Sequence, residues 1–196
     1  EITFGSNNNV SFKVNKKNEV KNLKVKSILN FDNIKIDYTS NKLKKIIPNY
    51  NNLIILNSDY LEINYSENKT QIKAKGKYSF KDNFDNFQIN IINKKNKFDF
   101  ETEVQLNKNL VQIREIEYNK EKDISGKIIA KGKYKIGSDL EFKNLNISDE
   151  KNKIEITNLH LSKNYKIKDF GNVELNYLNK NKKKNFIKLY KKENNY

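Results

Sequence analysis

Ile124-Ser125-Gly126-Lys127-Ile128-Ile129-Ala130-Lys131-Gly132-Lys133-Tyr134-Lys135-Ile136 sets an apolar or small residue at every second position along its whole length. Ile124, Gly126, Ile128, Ala130, Gly132, Tyr134 and Ile136 fall on one side, and Lys127, Lys131, Lys133 and Lys135 on the other. Successive side chains of a strand point to opposite faces, so a period of two reads as a β-strand with one greasy and one wet face. The same grammar stands about 56 residues earlier, where Ile72, Ala74, Gly76, Tyr78 and Phe80 alternate with Lys73, Lys75 and Lys77.

The match extends in order. Ile89 and Ile91 align with Leu145 and Ile147, Phe98 and Phe100 with Ile154 and Ile156, and Glu62-Ile63-Asn64-Tyr65 recurs as Glu115-Ile116-Glu117-Tyr118 and Glu174-Leu175-Asn176-Tyr177. Self-similarity at a fixed period marks a repeat architecture. The chain divides into opening strands with a short helix (1–58), a first repeat (59–112), a second (113–170), and the start of a third with a basic tail (171–196), all in one continuous sheet.

Further alternating runs fill the rest: Val10-Phe12-Val14, Leu23-Val25, Ile34-Ile36-Tyr38, Leu61-Ile63-Tyr65, Phe87-Ile89-Ile91, Phe98 to Leu106 through Val104, Leu159-Leu161 and Val173-Leu175-Tyr177. A change of register between Ile156 and Leu159 predicts a bulge at Thr157-Asn158. Asn7-Asn8-Asn9, Ser66 to Lys69, Lys81-Asp82-Asn83, Lys94-Lys95-Asn96, Gly137-Ser138-Asp139 and Asp149 to Asn152 read as turns. Turns this short cannot make parallel crossovers, so neighbouring strands pair antiparallel. Ser40 to Ile47 predicts one or two helical turns, with Leu43, Ile46 and Ile47 at helical spacing, Ser40 or Asn41 as cap and Pro48 as stop. The expected fold is all-β: an extended antiparallel meander curled into a groove or open sandwich, with one helix near 40–47.

Composition narrows function more by exclusion than by assignment. The 196 residues contain no Cys, Met or Trp and a single His, His160. Thiol chemistry and Cys-based zinc sites are excluded, and a catalytic triad has one candidate histidine. The missing initiator Met leads us to expect a processed piece of a longer protein. No apolar run approaches the roughly 20 residues of a spanning helix. The net charge of +15 invites a nucleic-acid reading, but among 39 basic residues only Arg114 is Arg, and Asn is abundant. Lys, Asn and Ile at this level point to an AT-rich genome, and base readers depend on bidentate Arg. Nucleic acid is not the expected partner.

Local motifs yield no chemistry. Gly132 to Gly137 has the spacing of a phosphate loop, but Ser138 stands where Lys is needed, and Gly76 and Gly132 lie mid-strand in alternating runs, where a glycine marks a bend or the close approach of another backbone. Asp99, Glu101 and Glu103 share the wet face of one strand among lysines, a solvated lane rather than an acid–base pair. His160 sits on a wet lane as well. Asn9, Asn64, Asn68 and Asn146 head glycosylation triplets that so much Asn produces by chance. Lys180 to Lys184 with Lys188, Lys191 and Lys192 reads as a solvated loop or as edge-strand protection. No enzyme, metal or cofactor is expected.

The repeated Ile-x-Ala-x-Gly-x-Tyr strands, followed by Leu140 to Ile147 and by Ile154 to Leu159, resemble the AsmA-like family of Gram-negative envelope proteins, of the TamB and YhdP type. The likeness spans Tyr60 to Tyr190. It implies a long antiparallel sheet curled around an apolar groove, a periplasmic setting in the cell envelope, a membrane tether through parts outside this chain, and a role in phospholipid transport and outer-membrane homeostasis. The family contributes no catalytic residues. On that reading the groove lining is Ile72, Ala74, Tyr78, Phe80, Phe98, Phe100, Val104, Leu106, Ile128, Ala130, Tyr134 and Ile136. Its partners are acyl chains and neighbouring β segments. The alternative is a structural β-sandwich or solenoid module whose apolar lanes bury one another. A transmembrane barrel lacks aromatic girdles here.

Overall fold

The computed structural model describes residues 4–80, 83–179 and 181–191. It is one antiparallel meander with a single short α-helix among the described residues. The strands are β1 (Phe4–Val14), β2 (Val20–Asp37), β3 (Leu53–Ser66), β4 (Lys69–Ser79), β5 (Asp85–Lys94), β6 (Lys97–Gln105), β7 (Val111–Ile113), β8 (Tyr118–Lys120), β9 (Gly126–Lys135), β10 (Leu140–Asp149), β11 (Lys153–Leu161), β12 (Ile167–Asp169), β13 (Asn172–Leu178) and β14 (Lys184–Tyr190). Eleven of them lie side by side in the order β1-β2-β3-β4-β5-β6-β9-β10-β11-β13-β14, β12 adds to β11, and β7 and β8 form a separate hairpin.

Helix α1 (Asn41–Ile46) follows the local chemistry closely. The Ser40 side chain accepts from the Leu43 N–H at 3.2 Å and caps the first turn, and Pro48 follows two residues after the helix. The three-strand unit β4-β5-β6 recurs as β9-β10-β11, in the offset the sequence repeats. The fourth block recurs in the sheet at its third occurrence, Glu174 to Tyr177 in β13, but not at its second. Glu62 to Tyr65 lies in β3, whereas Glu115 to Tyr118 forms a single 3-10 turn leading into β8, off the sheet. Asn7-Asn8-Asn9 is a correction: it lies within β1, opposite Ile28, Ser27 and Lys26, because extended pairing with β2 outweighs the turn preference of Asn. Leu23-Val25 and Ile34-Ile36 are parts of one strand, β2, which bends at Asn22 and Asn33 with positive φ. At the predicted bulge, Asn158 takes φ of 50° where β11 exchanges its β13 neighbour for β12. Of the expected turns, Lys81-Asp82 lies outside the described residues. Lys180 and Lys192 of the basic tail do too.

The sheet is curled. Lys42 of α1 has its Nζ 5.4 Å from the ring centre of Tyr165, in the turn between β11 and β12. In a flat sheet β2 and β11, seven pairings apart, would stand about 34 Å from each other at roughly 4.8 Å per strand. The few residues from Asp37 to Lys42 cannot span that distance, so the accumulated twist brings the flanks together around the apolar face.

The densest packing is off-centre. Leu106, Val111, Tyr118, Ile154, Leu175 and Tyr177 form the buried cluster, with Val104, Ile128 and Ile147 against it. The 106–125 connection between β6 and β9 therefore folds back over one end of the apolar face. Nearby, Ile47 and Tyr50 are buried, Tyr50 meets the ring of Phe80 edge-on at 5.3 Å, and α1 packs against β7.

Candidate apolar binding face

Directly paired residues of antiparallel strands project to the same side, so the pairing defines rows of side chains across the sheet. One row runs Ile63, Ile72, Ile91, Phe100, Gly132, Phe142, Leu159. The next runs Leu29, Leu61, Ala74, Ile89, Thr102, Ala130, Leu145, Ile156, Val173, Leu189. Val104, Ile128, Ile147, Ile154 and Leu175 make a third. A fourth, toward the hairpin end, contains Phe98, Tyr134, Leu140 and Leu161.

The expected lining residues divide by what covers them. Ile72, Ala74, Phe98, Phe100, Ala130 and Tyr134 share the part of the face that no other element among the described residues crosses. There Phe100 meets Phe142 edge-on at 5.6 Å, Phe98 lies 6.2 Å from Tyr134, and most side chains are half-buried. Val104, Leu106 and Ile128 lie beneath the β7–β8 connection. Tyr78 and Phe80 pack together beside Tyr50, and the Tyr78 hydroxyl donates to the Gln105 carbonyl at 2.6 Å. Burial pushes the Tyr78 phenol above its ordinary pKa, so it stays a donor. Ile136 stands exposed in the β9–β10 hairpin at the rim. The β7–β8 connection and its covering of one end carry no alternating signal, which is why the sequence reading missed them.

Gly76 and Gly132 work alike. A Cβ on Gly132 would lie 2.1 Å from the Glu141 carbonyl oxygen and 2.7 Å from the Phe100 ring, and one on Gly76 would lie 2.1 Å from the Asn57 carbonyl oxygen. Each glycine faces a register shift in an adjoining strand, β10 for Gly132 and β3 for Gly76. The bulged backbone comes close because there is no side chain in its way. The Gly132–Gly137 spacing is thus bend geometry.

The opposite face is charge-alternating. Lys127, Lys131 and Lys133 of β9 lie beside the acidic lane of β6, Lys73, Lys75 and Lys77 of β4 lie beyond β5 on its other side, and Lys131 pairs with Glu101 at 2.7 Å. His160 is exposed, with Nε2 4.0 Å from Glu141 across the β10–β11 pair. Two open depressions of about 730 and 450 Å³ lie on this face, lined chiefly by Lys, Asn and Glu side chains. Phe98, Phe100, Tyr134 and Phe142 lie on the other side of the sheet, whereas Tyr60 lies on this one. No group of three metal-ligating side chains occurs among the described residues.

On this face Glu62 is nearly buried and fully engaged, by Tyr60 Oη at 2.6 Å, Asn64 Nδ2 at 2.7 Å and Lys26 Nζ at 3.0 Å. These donors, Tyr60 first, hold its carboxyl down at about 2. A folded-state pKa below the unfolded one gives stability that is present above the unfolded pKa and lost as pH falls through the folded one. Urea unfolding between pH 6 and 2 should show wild-type stability declining across that window, and Glu62→Gln should be less stable at neutral pH with a flatter decline. Parallel declines in the two proteins would count against this assignment.

No helix among the described residues is long and apolar enough to cross a membrane. The chain matches no protein family, no curated protein and no solved structure.

Proposed function

We propose that the curled sheet holds lipid acyl chains along its uncovered apolar rows, as one segment of an AsmA-like envelope protein that takes part in phospholipid transport in the periplasm. The supporting observation is the uncovered face. The chain exposes 13680 Å², whereas a compact monomer of 23.2 kDa exposes about 9700 Å². Much of that excess belongs to a one-layer sheet with no second layer, among the described residues, over its Phe100–Phe142 row. An apolar surface of this extent in water is stabilised by an occupant, and acyl chains are long, flexible and featureless enough to follow rows of Ile, Leu and Phe. Lys94, Lys95, Lys97 and Lys135 surround the open hairpin end, where phosphate headgroups would meet them as point charges.

A purely structural module is the second reading. It draws on the one end where the face is filled by the protein itself, through Leu106, Val111 and Tyr118. The two readings separate in one experiment: native mass spectrometry and lipid extraction of the chain prepared without detergent. Phospholipid should co-purify, and Phe100→Asp should reduce it roughly tenfold or more, since 1.4 kcal/mol of lost affinity suffices. Circular dichroism and cooperative unfolding check that the variant is folded. A lipid-free, monodisperse, cooperatively folding wild type would decide for the structural module.

A further inference from the structure

Building on the lipid reading above, we infer that the apolar face is a blind trough that takes a single-headed acyl anion tail first, and that Leu106, Val111 and Tyr118 set the longest tail it accepts. Phe98, Phe100, Thr102 and Val104 of β6, with Leu106 after it, share the apolar face, and the surroundings change along this lane. At the hairpin end Ile136 is 59% exposed and Tyr134 38%; at the other end Leu106, Val111 and Tyr118 are each 2% exposed. The 106–125 connection walls that end from Val104 of β6 to Leu175 and Tyr177 of β13, and α1 packs against β7 beside it. The wall is built wholly from internal segments. Behind it the buried groups are polar. The Tyr118 hydroxyl donates to Asp149 Oδ2 at 2.9 Å, Asp85 accepts from Asn109, and Lys120 donates to the Asn109 carbonyl. A methylene chain pushed past Leu106 would strip partners from these groups without replacing them, a cost that stops it there.

The mouth supplies a partner for the head. Lys94 stands directly opposite Lys97, and Lys97 directly opposite Lys135, so three ammonium groups share one row at the end of the strands. None of them has a carboxylate within ion-pair distance among the described residues. Like charges directly opposite each other destabilise a sheet, and an oxyanion held between them relieves the repulsion. Lys stems are long and flexible, so at the last residue pair of the strands their heads reach a carboxylate or phosphate at the rim while its tail lies on the apolar side. Phe98 and Val104 on β6 stand about 20 Å apart, and a straight tail fills a lane of that length where a compact ring system would not.

The full chain is titrated with saturated fatty acids from laurate to arachidate, and with palmitoyl lysophosphatidate, by displacement of an anilinonaphthalene fluorophore below each ligand's micelle threshold. Affinity should rise about tenfold for each added pair of methylenes up to one length, then level off or fall. Thr102→Phe, one row short of the wall, should bring that limit to a shorter acid, and Val111→Ala, which hollows the wall, to a longer one. Circular dichroism and cooperative urea unfolding check that each variant is folded; if Val111→Ala is not, Thr102→Phe still carries the test. Lys97→Glu should weaken acids of every length several-fold while raising the urea midpoint of the lipid-free chain, because the row then alternates in sign. Tighter binding of lysophosphatidate than of palmitate assigns the rim to phosphate, and the reverse order assigns it to carboxylate. Affinity that climbs through arachidate without a limit overturns the inference and leaves the lipid reading standing. So does a limit that Thr102→Phe leaves in place, or a Lys97→Glu chain that binds as the wild type does. Failure of every ligand to bind overturns both.

Discussion

Gly132→Ala will destabilise the protein by about 3 kcal/mol or more, an effect at the upper end for the gain of one methyl group. The new Cβ would fall 2.1 Å from the Glu141 carbonyl oxygen and 2.7 Å from the ring of Phe100. A flexible side chain could swing aside, but the Glu141 carbonyl belongs to the backbone of β10 and is fixed by ladder bonds on both sides. Either the β9–β10 pairing opens locally or the register shift at Phe142 and Asn144 is lost, and the Phe100–Phe142 contact goes with it. Gly137→Ala is a useful contrast: that residue has open space around it but a φ of 75°, so its cost is conformational and about 1 kcal/mol. Chemical denaturation of the two variants measures the difference. Equal losses would mean that the close approach at Gly132 relaxes freely.

Asp85→Ala should cost about 3–5 kcal/mol, the range for breaking a buried charged network by removing one partner. Asp85 is buried at the start of β5, and its Oδ2 accepts from the Lys108 N–H at 2.8 Å and from Asn109 Nδ2 at 2.9 Å. The Asn109 carbonyl in turn accepts from Lys120 Nζ at 3.1 Å, and the Glu121 carbonyl does so at 2.9 Å. Lys120 is 2% exposed. Desolvation lowers its pKa, and the carboxylate of Asp85 is the strongest influence opposing that. Removing Asp85 strands the Lys108 N–H, leaves Asn109 Nδ2 only the long contact to Tyr78 Oη at 3.5 Å, and leaves the ammonium with less compensation. The β7–β8 hairpin is held to the sheet through this network, so hydrogen exchange should rise across 106–126 before it rises in β4 or β9. Adding Lys120→Met to Asp85→Ala should give a total loss smaller than the sum of the single losses, because the pair shares one network. Additive losses would show the two groups acting independently.

These two variants differ in how far their reasons could be read from the residues alone. The glycines stood out in the sequence: each interrupts an alternating run at the same place in a repeated strand, which marks a close backbone approach. Asp85 and Lys120 gave no such sign. Lys120 follows the weakest stretch of the repeat and looks like one more lysine among many. Its burial depends on a hairpin whose partners are a carboxylate more than thirty residues away and the carbonyls of its own loop. The lining residues show the same division. Their common face follows from parity and was legible, whereas the covering of Val104, Leu106 and Ile128 required knowing where the 106–125 connection goes.

Strand identity, the face each side chain takes, the hairpin order and the capped helix are local matters. They depend on a period of two, on turn chemistry within a few residues, and on one serine before Leu43. Curl, covering and burial are not local. Twist adds up over seven pairings until α1 reaches the β11–β12 turn, and only then is one end of the apolar face closed while the Phe100 row stays open. Such features arise from small angles and long-range contacts summed over the whole sheet, for which no single stretch of residues carries a signal.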